Sequence, residues 1–402
     1  MATTKKNIVI LGGGFGGIVA ALRVGKGLRQ VGLTEKYGVT VIDRNERQAY
    51  TPVLYEHAAA PKDEKEPNNI TLDIARLLKG LPVDFMKGEV AEIDLMNGDV
   101  HLKTGGEIKA EFAIIALGSE VNYFGIPGMA EHATPLKTFA DAERIRAALQ
   151  GLLAQNKTPR VVIGGAGPNG IELAGQIKHL HPQCDITIVE AMPEILPGFA
   201  PRMVKLARKR LTRLGIKIAV NSKIASVETN AIKLGEGADV PFDLMVWTGG
   251  VKAPDLVSKL PLRAERGKPV AEFGMGCVPQ TPDLKLYPMV YVIGDSVCFY
   301  DSKTGKPMPT VAPVAIEQAE VVAHNVLEEI KKAEQPAYTV MTKNYSAQEY
   351  PYVIPIGGHW AAAKIGPVFM TGYPGWIFKR FVELDYLITV MPFFTALGAW
   401  MK

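Results

Sequence analysis

The chain has only 3 cysteines in 402 residues (Cys184, Cys277 and Cys298), and no CxxC pair occurs. A disulfide framework, a structural zinc site and a dithiol reductase centre all need paired thiols. Their absence excludes these classes, predicts no bound metal and points to a reducing compartment. No run of about 18 uninterrupted apolar residues is present, so no clean transmembrane helix is expected. The opening stretch Met1 to Asn7 is short and polar and leads straight into a strand, unlike a signal peptide. Excess charge is scarce too, with a net charge of +4. That suits anionic cofactors or anionic lipid and is too weak for a nucleic-acid partner. What remains is 47% hydrophobic and 21% charged, an ordinary globular composition long enough for two or three domains.

One grammar occurs twice. Ile8 to Leu11 is a short β-branched run of the kind buried on both faces of a parallel sheet. Glycines follow, then the helical pattern Ile18 to Leu22, then a strand Val39 to Ile42 ending at Asp43. Arg160 to Ile163, a second set of glycines, Ile171 to Ala174 and Ile186 to Val189 ending at Glu190 repeat the order. The repeat implies an α/β fold with two Rossmann-like dinucleotide-binding domains. Pro61 to Asn69 reads as a surface loop, and Leu152 to Pro159 as the polar join between the two folds. Near Pro282 the chain leaves the second fold, and Val290 to Ile293 returns it to the first. The expected domains are 1–155 and 282–337 for the first fold, 156–281 for the second, and 338–402 for a C-terminal membrane-associating helical region.

Gly12, Gly14 and Gly17 satisfy GxGxxG. The turn needs a residue without Cβ, and a pyrophosphate must reach amides at a helix N-terminus, where the dipole favours negative charge. Asp43 is placed to accept from a ribose diol. Ala113 to Gly118 and Tyr291 to Asp295 are further strand ends, and Asp295 fits either a ribityl or ribose hydroxyl or a helix cap. These signals read the first nucleotide as FAD. In the second loop, Gly165, Gly167 and Gly170 repeat the motif, and Glu190 lies where an acid meets the adenosine 2′-hydroxyl. Its carboxylate repels a 2′-phosphate, and Ala191 and Met192 offer no arginine, so NADH is favoured over NADPH. Glu172, read as lying in the first turn of the following helix, either answers the helix dipole or lines a nicotinamide–flavin junction.

Ala116 to Gly128 closely resembles the hallmark segment of type II (non-proton-pumping) NADH dehydrogenases. The two glycine loops, Tyr50-Thr51-Pro52, Gly294-Asp295 and the region Gly357 to Leu387 fall where that family places them. The resemblance implies a relay of two electrons from NADH through FAD to a quinone, with the flavin carrying the redox chemistry. It implies FAD contacts at Gly12, Gly14, Phe15, Gly16, Gly17, Asp43, Arg44, Thr51, Val90, Ala116, Gly118, Gly294, Asp295 and Ala312. NADH contacts fall on Gly165, Gly167, Asn169, Gly170, Glu172, Glu190 and Gly249, and quinone contacts on Ala312, Pro313 and Glu317. Glu172 and Glu317 are the implied catalytic residues. One departure stands out. The family's Ala-Gln-x-Ala-x-Gln pattern reads here Ala312-Pro313-Val314-Ala315-Ile316-Glu317, so both glutamines are replaced. Pro313 has no amide to offer a quinone carbonyl, and Glu317 donates only when protonated, unless it is simply a solvated helix residue.

Trp376 to Met401 is rich in large apolar side chains, with Lys379, Arg380 and Lys402 at its ends and Pro392 interrupting it. It reads as a helix lying in the membrane interface, on the cytoplasmic face as a peripheral attachment. A core helix or a homodimer interface is the competing account. A sulfide:quinone oxidoreductase would need a redox cysteine just after the second glycine loop, where Pro168 to Glu172 has none. A reductase with a protein or small-molecule acceptor, or a redox sensor with little turnover, stays open.

Overall fold

The computed structural model describes residues 5–62, 71–155, 158–301, 304–346 and 348–401. Most of the loop expected at Pro61 to Asn69 lies outside them, as does Lys402.

Strands β1 (Lys6–Leu11), β2 (Tyr37–Asp43), β3 (Val83–Lys87) and β4 (Phe112–Ile115) belong to one parallel sheet. Ile8, Val9, Ile10 and Leu11 are fully buried, as expected of an inner strand flanked by β2 and β4 on its two edges. Helix α1 (Phe15–Gln30) follows the first glycine loop, α2 (Leu54–Ala59) follows Tyr50 to Val53, and α3 (Phe139–Ala154) leads to the second fold. α3 is closed by a capping box between Thr138 and Asp141 and continues to Ala154, so Leu152 to Ala154 are helical rather than part of a join.

The second sheet repeats the plan with β5 (Arg160–Gly164), β6 (Asp185–Val189), β7 (Lys217–Ala219) and β8 (Leu244–Trp247), joined by α4 (Pro168–Leu180) and α5 (Pro201–Arg213). Then β9 (Met289–Val292) returns to pair with β4. The first sheet therefore runs β3-β2-β1-β4-β9 and takes its last strand from well beyond the second fold. α6 (Ala312–Glu334) packs along α1. β10 (Tyr352–Pro355), β11 (Ala361–Ile365) and β12 (Val368–Gly372) form an antiparallel sheet that carries α7 (Tyr373–Val390) and α8 (Phe393–Trp400). Pro392 separates the last two helices, because it has no amide to continue the first. Among the described residues no helix is long and apolar enough to cross a membrane.

The two glycine loops are built alike. Gly12 and Gly165 take φ of +107° and +104°, which a side chain disfavours. A Cβ at Gly17 would stand 1.8 Å from the Gly12 carbonyl oxygen, and one at Gly170 would stand 2.1 Å from that of Gly165. The third glycine therefore lets helix and strand close on each other. At Gly14 and Gly167 a Cβ would meet nothing within 4 Å, so their bare backbone leaves space rather than filling it. Gly17→Ala and Gly170→Ala should fail to give soluble folded protein. Gly14→Ala should fold, with unchanged far-UV circular dichroism, yet lose at least about tenfold in dinucleotide affinity. Equal flavin retention in Gly14→Ala and wild type would contradict this assignment.

Candidate active site

The C-terminal edges of the two parallel sheets meet a cavity of about 1860 Å³. Ordinary small-molecule pockets reach about 1,000 Å³, so this one has room for more than one ligand. Its wall includes Gly12, Gly14, Phe15, Gly16, Asp43, Arg44, Thr51, Val90, Ala116, Gly118, Gly294, Asp295 and Ala312 from the first fold. Gly17 is not on the wall, since its part is helix packing. From the second fold, Asn169 and Glu172 reach the cavity, whereas Gly165, Gly167, Gly170, Glu190 and Gly249 do not. Pro197 to Ala200, Trp247, Thr248 and Gly250 form that wall instead. Pro313 lines the cavity beside Ala312 and Ile316; Glu317 does not.

Each acid is tied to its own glycine loop. Asp43 Oδ2 accepts from the Gly13 amide at 2.7 Å and its Oδ1 from the Asn45 amide at 2.7 Å. Glu190 Oε2 accepts from the Ala166 amide at 2.7 Å and its Oε1 from Met192 at 2.8 Å. A carboxylate oxygen has two lone pairs, so both acids hold the loop and keep acceptor capacity for a ribose diol. Asp295 follows Gly294 in a single 3₁₀ turn, so it does not cap a long helix. Its Oδ2 accepts from Ser119 Oγ at 2.7 Å, and Lys137 Nζ, bonded to the same hydroxyl at 2.7 Å, stands 3.5 Å from it. The fully buried Gln318 holds that turn by accepting from the Gly294 amide at 2.7 Å.

The segment that carries the resemblance does structural work between the folds. Trp247 Nε1 donates to the Asn122 carbonyl at 2.9 Å, and the Asn122 amide donates to Gly250 O at 3.0 Å. Phe124 takes the left-handed φ of 52° and sets its ring edge-on to Trp247, with centroids 6.4 Å apart. A Cβ at Gly249 would fall within 2.3 Å of the Trp247 ring, so Gly249 makes room for the indole.

Glu172 is the fifth residue of α4, past the first turn, so the helix dipole does not explain it. It is buried against the cavity, and burial pushes its carboxyl up to about 8, with Lys379 opposing and Glu56 reinforcing the rise. Lys379 was expected at a lipid-facing helix end. Instead its side chain is 7% exposed and pairs with Glu56 and, at 2.6 Å, with Glu383. Burial pulls its ammonium down, but the two carboxylates outweigh this and raise it. Tyr386, four residues before Val390, donates to Gln48 at 2.7 Å, stacks on Tyr50 at 5.4 Å and meets the loop residue Phe15 at 4.6 Å. The inner face of α7 thus forms part of the cavity wall. Apart from Glu383, one helical turn from Lys379, none of these partners is near in sequence, and only the buried side of an otherwise apolar helix could have hinted at them. Among the described residues no group of three or more His, Cys, Asp or Glu could hold a metal ion, and the cysteines are free.

Residues 6–319 match the sequence family described as pyridine nucleotide-disulphide oxidoreductase. The chain belongs to this family. Within it, the chain is 28% identical to the type II NADH:quinone oxidoreductase Ndh of Mycobacterium tuberculosis, over 98% of this chain and 87% of that protein. It is 26% identical to the type II NADH:quinone oxidoreductase of Staphylococcus aureus, over 81% of this chain and 83% of that one. The fold is similar to NDH2 from Plasmodium falciparum in complex with NADH, with a TM-score of 0.81 at 17% identity, covering 99% of this chain and 98% of the other. It is also similar to the sulfide:quinone oxidoreductase of Aquifex aeolicus, with a TM-score of 0.77 at 19% identity over 96% and 91% of the two chains.

The raised carboxyl of Glu172 sets a pH dependence of stability. Its folded value of about 8 exceeds the unfolded value near 4.5, so between these the folded state holds the proton that the unfolded state has lost. The stabilisation is full below 4.5, falls as pH rises and is gone above about 8. Glu172→Gln removes this titration. The variant and wild type should have similar thermal stability near pH 4.5 and diverge, the variant being more stable, by on the order of a few kcal/mol at pH 8.5. Parallel unfolding curves across that range would refute the burial argument.

Proposed function

We propose that this protein is a type II NADH:quinone oxidoreductase, which holds FAD at the first cradle, binds NADH at the second and passes electrons to a quinone without pumping protons. The observation that carries the reading is a pair of acid-tied glycine cradles, the first on the cavity wall and the second reaching it through Asn169 and Glu172 of the helix it opens. The fit to FAD rests on the bare backbone at Gly14, on the acceptor capacity of Asp43 and on Asp295 at the far strand end. Arg44, Thr51, Val90, Ala116, Gly118 and Ala312 line the same stretch and would complete its surroundings. FAD held there would supply the two-electron redox chemistry between NADH and the second substrate.

The residues of this chain orient and shield. Glu190 and the loop Gly165 to Gly170 would hold the adenosine and pyrophosphate of NADH, and Asn169 and Glu172 would face its nicotinamide end. With its carboxyl held near 8, Glu172 is protonated at neutral pH and adds no repelling charge there. Tyr50 and Tyr386 close the side toward α7, and burial keeps both phenols protonated. Purified protein with bound flavin should oxidise NADH far faster than NADPH when a soluble quinone is supplied. NADH oxidation supported only by a protein acceptor, or none at all, would overturn the quinone assignment.

The reading extends to a peripheral attachment at the cytoplasmic face of the membrane. The outer faces of α7 and α8 expose Phe381, Ile388, Phe393, Met401 and Phe394, the last 84% exposed. Val382 both lines the cavity and lies on the exposed side of α7, so a lipid-dissolved quinone would meet the site beside the lipid-facing helix. Phe393→Ser with Phe394→Ser should abolish co-sedimentation with phospholipid vesicles while the protein keeps its flavin. If vesicle binding persists and a dimer falls apart instead, the face serves a second copy of the chain.

A further inference from the structure

The reaction NADH + H⁺ + quinone → NAD⁺ + quinol takes two electrons and one proton from NADH and one proton from elsewhere. That second proton needs a donor on the acceptor side of the cavity. The N-terminal end of α6 contributes Ala312, Pro313, Ala315 and Ile316 to the wall, and none has a side-chain donor. Gln318 is fully buried, with its carbonyl engaged on Gly294. At about 100° per residue, Glu317 turns away from the cavity that Ile316 faces.

Its half-buried carboxylate has a protein partner, however. Glu317 Oε2 accepts from the hydroxyl of Tyr350, and Tyr350 lies on the cavity wall. Behind it, the buried Tyr345 hydroxyl stands 3.1 Å from that of Tyr350 and is anchored by its ring against Phe299 at 5.2 Å and its amide on Phe273. The place where the related family carries a glutamine amide thus holds a carboxyl with a phenol between it and the cavity.

We propose that Tyr350 is the catalytic proton donor to the quinone oxygen, and that Glu317 is a positioning and proton-reloading residue acting through it. This rests on the quinone reading above. At rest the Tyr350 hydroxyl donates to Glu317 Oε2, and rotation about its C–O bond points the phenolic hydrogen at the acceptor. In the step, the Tyr350 O–H bond breaks as an O–H bond forms on the quinone oxygen. The phenol is then re-formed by the solution proton that the overall reaction consumes, which the Glu317 carboxylate accepts and passes to the phenolate oxygen, its own O–H bond forming and breaking in turn. The electron pair comes from NADH by way of the flavin, so nothing else is oxidised. Burial, followed by the bond to Glu317, drives the Tyr350 hydroxyl above its ordinary value, so it acts as a relay that keeps its proton between turnovers.

The test compares two acceptors, a soluble quinone that takes up protons and ferricyanide that takes up electrons only. Tyr350→Phe should lower kcat with the quinone at least about tenfold and reduce its solvent deuterium isotope effect. Flavin reduction by NADH and turnover with ferricyanide should stay within about twofold of wild type. Glu317→Gln keeps the side-chain shape but holds no transferable acid proton, and should show the same acceptor-selective loss in smaller degree. Equal losses with quinone and ferricyanide would mean general damage and overturn the relay, as would a Tyr350→Phe variant with wild-type quinone turnover and isotope effect. If the unmodified protein reduces ferricyanide but no quinone, the quinone reading itself falls, and the relay with it.

Discussion

The two cradles depend on glycine loops packed so tightly that no side chain fits between helix and strand. The Cα of Gly17 rests on the carbonyl of Gly12, and that of Gly170 on the carbonyl of Gly165. Each loop is then held by an acid from the neighbouring strand, Asp43 on Gly13 and Glu190 on Ala166. These contacts aim a helix N-terminus and a row of free amides at one place, where an anionic pyrophosphate gains from both. Moving either helix outward by the width of a methyl group would remove the cradle, whatever else of the fold survived.

Three separate segments then bring their charges to the space between the cradles. Glu56 comes from the first fold, Glu172 from the second, and Lys379 and Glu383 from the C-terminal helix. A single buried charge of this kind would be strongly destabilising, and together they are compensated. Lys379 answers Glu56 and Glu383, while Glu172, left over, holds its proton. The C-terminal helix is therefore two-sided, closing the cavity with polar and aromatic groups inside and exposing apolar ones outside.

The replaced glutamines acquire a physical context in the same way. Pro313 leaves the first turn of α6 without a donor, and Glu317 sits one step around the helix from the cavity. Tyr350, in an irregular stretch far along the chain, bridges the gap. Losing a residue type at a family position need not remove its chemistry when another segment can supply a hydroxyl.

By itself the sequence determined the two cradles, the acids that follow them and the return of the chain to the first sheet. These depend on short-range rules: glycine spacing across one turn, β-branched runs for buried strands, and an acid at the end of the next strand. It misjudged Glu172, because a helix's first residue shifts by one turn with little trace in local pattern, and it took Lys379 for a lipid-facing charge. It singled out Glu317 from its place in a motif but could not show where the carboxylate points. Tertiary structure alone decided the Lys379 cluster, the stacking of Tyr386 on Tyr50, the tie of Trp247 to Asn122 and the bond from Tyr350 to Glu317. Apart from the Lys379–Glu383 pair, such contacts join residues tens to hundreds of positions apart, and no periodicity along a chain records which distant side chains its folding will bring into reach.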